Sequence, residues 1–244
     1  MRYAIISDIH ANLAAFNAVL DDIKGRGGVD RVLCLGDIVG YGPDPNECIE
    51  ALRRTDHICV AGNHDLAAIG NIATEEFNPD AAASCHWTAK QLSLTDIAYL
   101  ENLPLVIEEG GFTLVHGSPR DPIWEYLLTT SLAKENFAHF MTQFCLVGHS
   151  HVPLVFTRAE NGDCSGRRFS TGVKLVPGGD RMIINPGGVG QPRDSDPRAS
   201  YAIYDDEKRL VSLYRVSYDI QATQKRMTEF GLPASLITRL SYGI

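Results

Sequence analysis

The chain has 244 residues, 44% of them hydrophobic, and a net charge of −8. That length suffices for one large domain or two small ones, with a sizeable core. The acidic balance speaks against a duplex nucleic-acid surface, which needs clustered Lys and Arg, and no apolar run approaches the roughly 20 residues that span a bilayer. Residues 1–8 enter directly as a strand, without the basic region and apolar core of a signal peptide, and the six cysteines form no CxxC pair. A cytoplasmic protein with reduced thiols is therefore expected.

In chain order, Tyr3 to Ser7 reads as a buried strand ending in Asp8-Ile9-His10. Alternate residues of an extended segment point the same way, so Asp8 and His10 are expected to face one point. Leu13, Phe16, Leu20 and Ile23 recur at helical spacing, and Gly25, Gly27 and Gly28 end that helix. Arg31 to Leu35 is a second strand leading to Asp37, and Pro45 opens a second helix. His57 to Val60 is a third strand, running into Gly62-Asn63-His64-Asp65. Strand–helix alternation of this kind places all three polar strand ends on one rim of one sheet.

Residues 66–100 read as mainly helical, and Leu103 to Glu109 and Phe112 to Val115 as strands, the second ending at His116. Residues 120–130 are a loop in which Trp124 and Tyr126 either stack on a base or, the favoured reading, pack, and Thr130 or Ser131 caps a helix through Phe140. Phe144 to Val147 is a strand ending at Gly148-His149-Ser150-His151. Beyond Leu154 short strands alternate with turns: Asn161-Gly162 signals a hairpin, and 174–176, 182–185, 200–204 and 210–214 are further strands. The tail from Ile220 to Tyr242 is helical and divided by Pro233. With no repeat or linker, one domain over 1–244 is expected, with two packed sheets and helices outside.

Asp8, His10, Asp37, Asn63, His116, His149 and His151 all follow apolar strand-like runs. One histidine so placed would be read as structural; several together point to a shared metal site. By contrast, His57, His86 and His139 have no such setting. The nitrogen and oxygen donors suit Mn, Fe, Zn, Co or Ni rather than a thiolate site. Seven protein ligands are too many for one catalytic ion that keeps an open position. Two ions sharing the Asp37 carboxylate would each receive four.

These motifs resemble the calcineurin-like metallophosphoesterase superfamily: Asp8-x-His10, Gly36-Asp37-x-x-Gly40, Gly62-Asn63-His64-Asp65, His116 before glycine, and Gly148-His149-x-His151. Chain size and the Asn185-Pro186-Gly187 turn are most similar to its small bacterial and archaeal branch, although Gly188 stands where serine is common. The resemblance implies an α/β fold, a four-layer α-β-β-α sandwich of two mixed sheets flanked by helices. It implies two divalent cations, with manganese first and Fe, Zn, Ni or Co as alternatives. One cation would take Asp8, His10, Asp37 and His151, and the other Asp37, Asn63, His116 and His149. His64 would be the general acid, with Asp65 orienting its imidazole.

The implied reaction is hydrolysis of a phosphodiester or phosphomonoester by metal-bound hydroxide. Two cations about 3.5–4 Å apart clamp the phosphoryl oxygens, and a histidine protonates the departing alkoxide. Asn63, His64 and Arg193 are the expected substrate contacts, while Arg198 and Tyr41 are weighed beside them. The expected partner is a small phosphate ester rather than a membrane or duplex nucleic acid, and a homo-oligomer is compatible with the sequence. The competing readings are a metal-binding scaffold for protein docking and a nuclease of the same superfamily.

Overall fold

The computed structural model describes residues 1–172, 174–175 and 178–244. The chain begins by alternating strand and helix: β1 (Arg2–Ile6), α1 (Leu13–Gly25), β2 (Arg31–Cys34), α2 (Pro45–Arg53), β3 (His57–Cys59) and α3 (Asn63–Ala68). Helices α4 (Pro79–Gln91) and α5 (Leu94–Glu101) lead to the hairpin β4 (Val106–Glu109) and β5 (Phe112–Val115). Then follow α6 (Thr130–Asn136), β6 (Phe144–Leu146), β7 (Leu154–Arg158), β8 (Cys164–Arg168), β9 (Lys174–Leu175) and β10 (Arg181–Asn185). The chain closes with β11 (Ala199–Asp205), β12 (Leu210–Val216), α7 (Ile220–Glu229) and α8 (Ala234–Arg239).

The strands form two mixed six-stranded sheets, ordered β3-β2-β1-β11-β12-β9 and β4-β5-β6-β10-β7-β8. In the first, β1, β2 and β3 are parallel; in the second, β5, β6 and β10 are. Side-chain alternation along these strands builds three apolar layers. Ala4, Ile6, Val32 and Cys34 face α1 and α2 on one outer side. Ile5, Leu33 and Leu35 face the other way and meet Phe112, Leu114, Phe144, Leu146 and Ile184 between the sheets. Val115, Cys145 and Ile183 face outward again, against Ala133 and Phe137 of the α6 region. Strands covered on both faces read as continuous apolar runs, which is why they were visible in the sequence. The arrangement is the four-layer α-β-β-α sandwich expected.

Some boundaries differ. The segment 66–100 is not one helical stretch: α3 stops at Ala68, and helix resumes only at Asn78-Pro79, where Asn78 caps the Ala81 N–H. The cap of α6 is Thr129, whose hydroxyl accepts from Leu132 N–H, and the helix ends at Asn136 rather than Phe140. There Asn136 turns inward and donates to Glu125. Of the strand expected over 174–176, the last residue lies outside the described residues. No helix among the described residues is long and apolar enough to cross a membrane.

Candidate metal centre

The expected ligands follow the carboxyl ends of five strands: Asp8 and His10 after β1, Asp37 after β2, Asn63 after β3, His116 after β5, and His149 and His151 after β6. Ligands of open α/β sheets gather at such ends. The backbone achieves this differently from the extended alternation expected. Asp8, His10, Asp37, His149 and His151 all have left-handed φ, between 48° and 63°. A non-glycine residue held there costs about 1–3 kcal/mol unless its surroundings enforce it, and such residues cluster at functional sites. Here the loops enforce it on one another. Asp8 N–H donates to Gly36 O, His10 N–H to Asp37 O, and Gly190 N–H to Asp8 O, at 2.9–3.1 Å. Gly62 must be glycine, because a Cβ there would lie 2.1 Å from Asp37 Oδ1.

Three imidazoles are held alike. Nδ1 of His10 faces Val39 O at 3.1 Å, Nδ1 of His116 faces Leu35 O at 2.7 Å, and Nδ1 of His151 faces Gln191 O at 2.5 Å. A carbonyl accepts only, so each Nδ1 carries a proton and each Nε2, when neutral, offers a lone pair inward, as a metal-bound imidazole requires. The His10 and His151 Nε2 atoms are 3.2 Å apart, a juxtaposition that repels without a cation or proton between. His151 Nε2 is 3.4 Å from Asp8 Oδ1, and His10 Nε2 is 3.5 Å from Asp37 Oδ2. On the other side of Asp37, His116 Nε2 lies 3.3 Å from the same Oδ2 and 3.0 Å from Asn63 Oδ1. Among the described residues, Asp8 Oδ2, Asp37 Oδ2 and His149 Nε2 are buried with no hydrogen-bond partner. Buried donors and acceptors are rarely left this way. The donor set therefore fits cations. Donor atoms converge as Asp8, His10 and His151, as Asp37, His116 and His149, and also as His10, Asp37 and His64.

A family model described as the calcineurin-like phosphoesterase superfamily domain matches residues 1–209. The chain belongs to that superfamily. As a member it is a metal-dependent phosphoric ester hydrolase. The crystal structure of a metallophosphoesterase from Sphaerobacter thermophilus is 48% identical to it, with a TM-score of 0.90 over 100% of this chain and 99% of that one. An uncharacterized protein of Methanocaldococcus jannaschii is 40% identical over 98% of this chain and 97% of its own. A symmetrical bis(5′-nucleosyl)-tetraphosphatase of Aromatoleum aromaticum is 31% identical over 55% of this chain. The chain spans about half the length of that tetraphosphatase, 50%.

Charge in this calcineurin-like site is set by burial and proximity. Burial pushes Asp8 up to about 7, opposed by His116 and reinforced by Asp37. Burial would lower His116, but the adjacent Asp37 and Asp8 outweigh it and push it up to about 9. In the metal-free protein a proton on His116 thus stands where positive charge is wanted. Burial lowers His64 to about 4, against the pull of Asp37. A neutral His64 ring carries one N–H, which can donate a hydrogen bond.

Asp65 also departs from expectation. It does not touch the His64 ring. At the third position of α3, its Oδ1 accepts from Ile38 N–H at 2.8 Å and Val39 N–H at 3.1 Å, and its Oδ2 from Gly62 N–H at 3.0 Å. Helix geometry turns this side chain back toward the preceding turn, away from its sequence neighbour. Burial and Asp37 push the carboxyl up to about 7 against those backbone donors. The partner of His64 Nδ1 is instead Cys85 Sγ, at 3.3 Å.

Beside the centre lies a cavity of about 140 Å³ lined by Asp37, Asn63, His64, His149, His151 and Arg193. Arg193 Nη2 donates to Tyr41 Oη at 3.3 Å and Gln191 Oε1 at 3.0 Å. Arg198 is turned away and exposed, paired with Asp196. Tyr41 lines the cavity, and so do Trp124 and Tyr126, for which packing was favoured over stacking on a base. Tyr126 stacks on His149 with centroids 3.9 Å apart, yet keeps 44% of its surface exposed. Phe77, absent from the expected set, stands edge-on to His64 at 4.9 Å. A larger cleft of about 450 Å³ lies at the opposite strand ends, near Arg31 and Asp56, and none of the expected site residues lines it.

Proposed function

We propose that the chain, acting as a single unit over 1–244, hydrolyses small phosphate mono- or diesters at a pair of divalent cations. Asp8, His10, Asp37 and His151 would hold one cation, and Asp37, Asn63, His116 and His149 the other. Manganese is the first choice, since the donors are nitrogen and oxygen only. The observation that carries this reading is the set of three imidazoles whose Nδ1 atoms are tied to carbonyls. Their Nε2 atoms meet two buried carboxylates that have oxygens to spare. Cations bound there would supply Lewis acidity toward phosphoryl oxygens and activate water.

The chain's own residues supply the rest. Arg193 reaches into the cavity and pairs with phosphoryl oxygens that point away from the carboxylates. His64, beside Asn63, donates its N–H to the departing oxygen. Asp65 positions the turn on which both sit and the turn that carries Asp37. A nucleotide-like substrate is a second reading, favoured by the half-exposed Tyr126 ring at the cavity and by Trp124 next to it. A flat base stacks on such rings at about 1–3 kcal/mol each.

The test is metal analysis of the purified protein, followed by turnover of p-nitrophenyl mono- and diesters and of dinucleoside polyphosphates with Mn, Ni, Co and Zn. Uptake of two equivalents with metal-dependent release of phosphate or alcohol supports the proposal. A protein that takes up no divalent cation would end it.

A further inference from the structure

The site contains histidines set in two opposite senses. At His10, His116 and His151 a backbone carbonyl faces Nδ1, so the proton sits there and the lone pair of Nε2 points inward. At His64 the group facing Nδ1 is the Cys85 thiol, with Sγ 3.3 Å away. Among the described residues no other polar atom is within hydrogen-bond reach of that nitrogen. Gly40 packs on the same edge and leaves no room for a side chain there: a Cβ would stand 2.5 Å from Nδ1. Cys85 is 1% exposed and sits on α4, 21 residues further along the chain. A thiol donates through S–H and is a weak acceptor. Burial pushes this thiol up to about 12, so the sulfur keeps its hydrogen.

We propose that Cys85 is a positioning residue for His64: its S–H donates to Nδ1 and holds the ring in the tautomer whose N–H is on Nε2, the edge left for the cavity. What faces Nδ1 thereby sorts the imidazoles of one site. Carbonyls make acceptors that can hold cations, and a thiol makes a donor that cannot. The inference rests on the phosphoesterase reading for its consequence. In the hydrolytic step the Nε2–H donates a hydrogen bond to the departing oxygen as the P–O bond breaks, and the alkoxide takes its proton from water. The Cys85 hydrogen stays on sulfur and the Nε2 hydrogen on His64.

The experiment uses the full chain, metal-free and zinc-loaded, labelled with 15N-histidine, comparing the wild type with Cys85→Ala and Cys85→Ser. Long-range 1H–15N spectra read the tautomer, and loss of one ring system in His64→Gln assigns it. In the wild type Nδ1 should resonate as an unprotonated, hydrogen-bond-accepting nitrogen and Nε2 as a protonated one. Cys85→Ala should lose the hydrogen-bond shift at Nδ1, and Cys85→Ser, which keeps a donor, should retain it. In parallel, kcat on an alkyl ester should fall about 10-fold or more in Cys85→Ala, part of the 10²–10⁴ a positioned acid supplies. The p-nitrophenyl ester, whose leaving group needs little protonation, should change less than about 3-fold on the same reasoning. A merely structural role would lower both alike. A wild-type spectrum with the proton on Nδ1, or unchanged His64 nitrogen shifts in Cys85→Ala, would overturn the assignment of Cys85. If the shifts follow Cys85 but neither ester is hydrolysed, the positioning stands and the phosphoesterase reading falls.

Discussion

Asp65 offers the sharpest separation between holding a site together and taking part in its chemistry. Its carboxylate is fully buried and satisfies three backbone N–H groups, those of Ile38, Val39 and Gly62. In Asp65→Asn the amide oxygen can keep the Ile38 and Val39 pair, but the NH2 then meets the Gly62 N–H donor to donor. One charge-assisted bond is lost and one donor is orphaned, for about 2–4 kcal/mol. In Asp65→Ala all three donors are orphaned, for about 3–6 kcal/mol once water partly refills the space. Against a total of about 5–15 kcal/mol, the alanine variant should be close to unfolding while the asparagine variant remains folded. The same turn carries Asp37 and the Val39 carbonyl that fixes His10, so metal affinity should fall in step with stability. Denaturant unfolding of metal-free protein, paired with metal content, measures both. If Asp65→Ala stayed within about 1 kcal/mol of the wild type and kept its cations while turnover collapsed, the structural account would be wrong. Asp65 would then act through the reaction itself.

Three further outcomes follow from the same geometry. Asp37→Asn leaves the shape but removes the charge that lies within 3.5 Å of both His10 and His116, so metal content should drop on both sides of the site, read by elemental analysis; full occupancy in that variant would contradict the shared carboxylate. Asp8 at about 7 and His116 at about 9 both hold protons more tightly in the metal-free fold than the ordinary values of 3.8 and 6.5. Those protons add stability at low pH that is lost as pH rises from about 4 to about 9, and cation binding must displace them, so affinity should climb over about pH 6–9 with proton release at pH 7. Calorimetry in two buffers of different ionisation enthalpy detects that release, and none at pH 7 would refute the charge assignment. Arg193→Ala should weaken phosphate-containing substrates by about 1.5–3 kcal/mol, the worth of a charge-assisted bond, seen chiefly in KM. An unchanged KM would place Arg193 outside the substrate contacts.

Much of the fold was legible because the central strands are covered on both faces. Runs such as Arg31 to Cys34 and Phe144 to Leu146 have no polar alternation to blur them, and the residues after them announce a donor cluster. The devices that make the cluster work were not legible. Left-handed φ at Asp8, His10 and His151 is set by neighbouring loops, and residue type hints at it only weakly, through the modest preference of Asp and His for that region. The family resemblance implied that Asp65 orients the His64 ring, and the helical turn they share directs it elsewhere. Cys85 and Phe77 come from a segment with no local sign of the site, and they reach His64 only because α4 packs across α3. Tyr126 lies in a loop whose path periodicity does not describe, so its place over His149 had to be seen.

The parentage of the donors has a mechanical meaning. Asp8, His10, Asp37 and Asn63 descend from one sheet, His116, His149 and His151 from the other, and each proposed coordination sphere draws on both. A cation bound there is a suture across the seam of the sandwich, so neither half can be peeled away without emptying the site. Chelation should therefore unfasten the two sheets at this rim first, while the aromatic packing around Phe112, Phe144 and Tyr204 still clasps them at the far end.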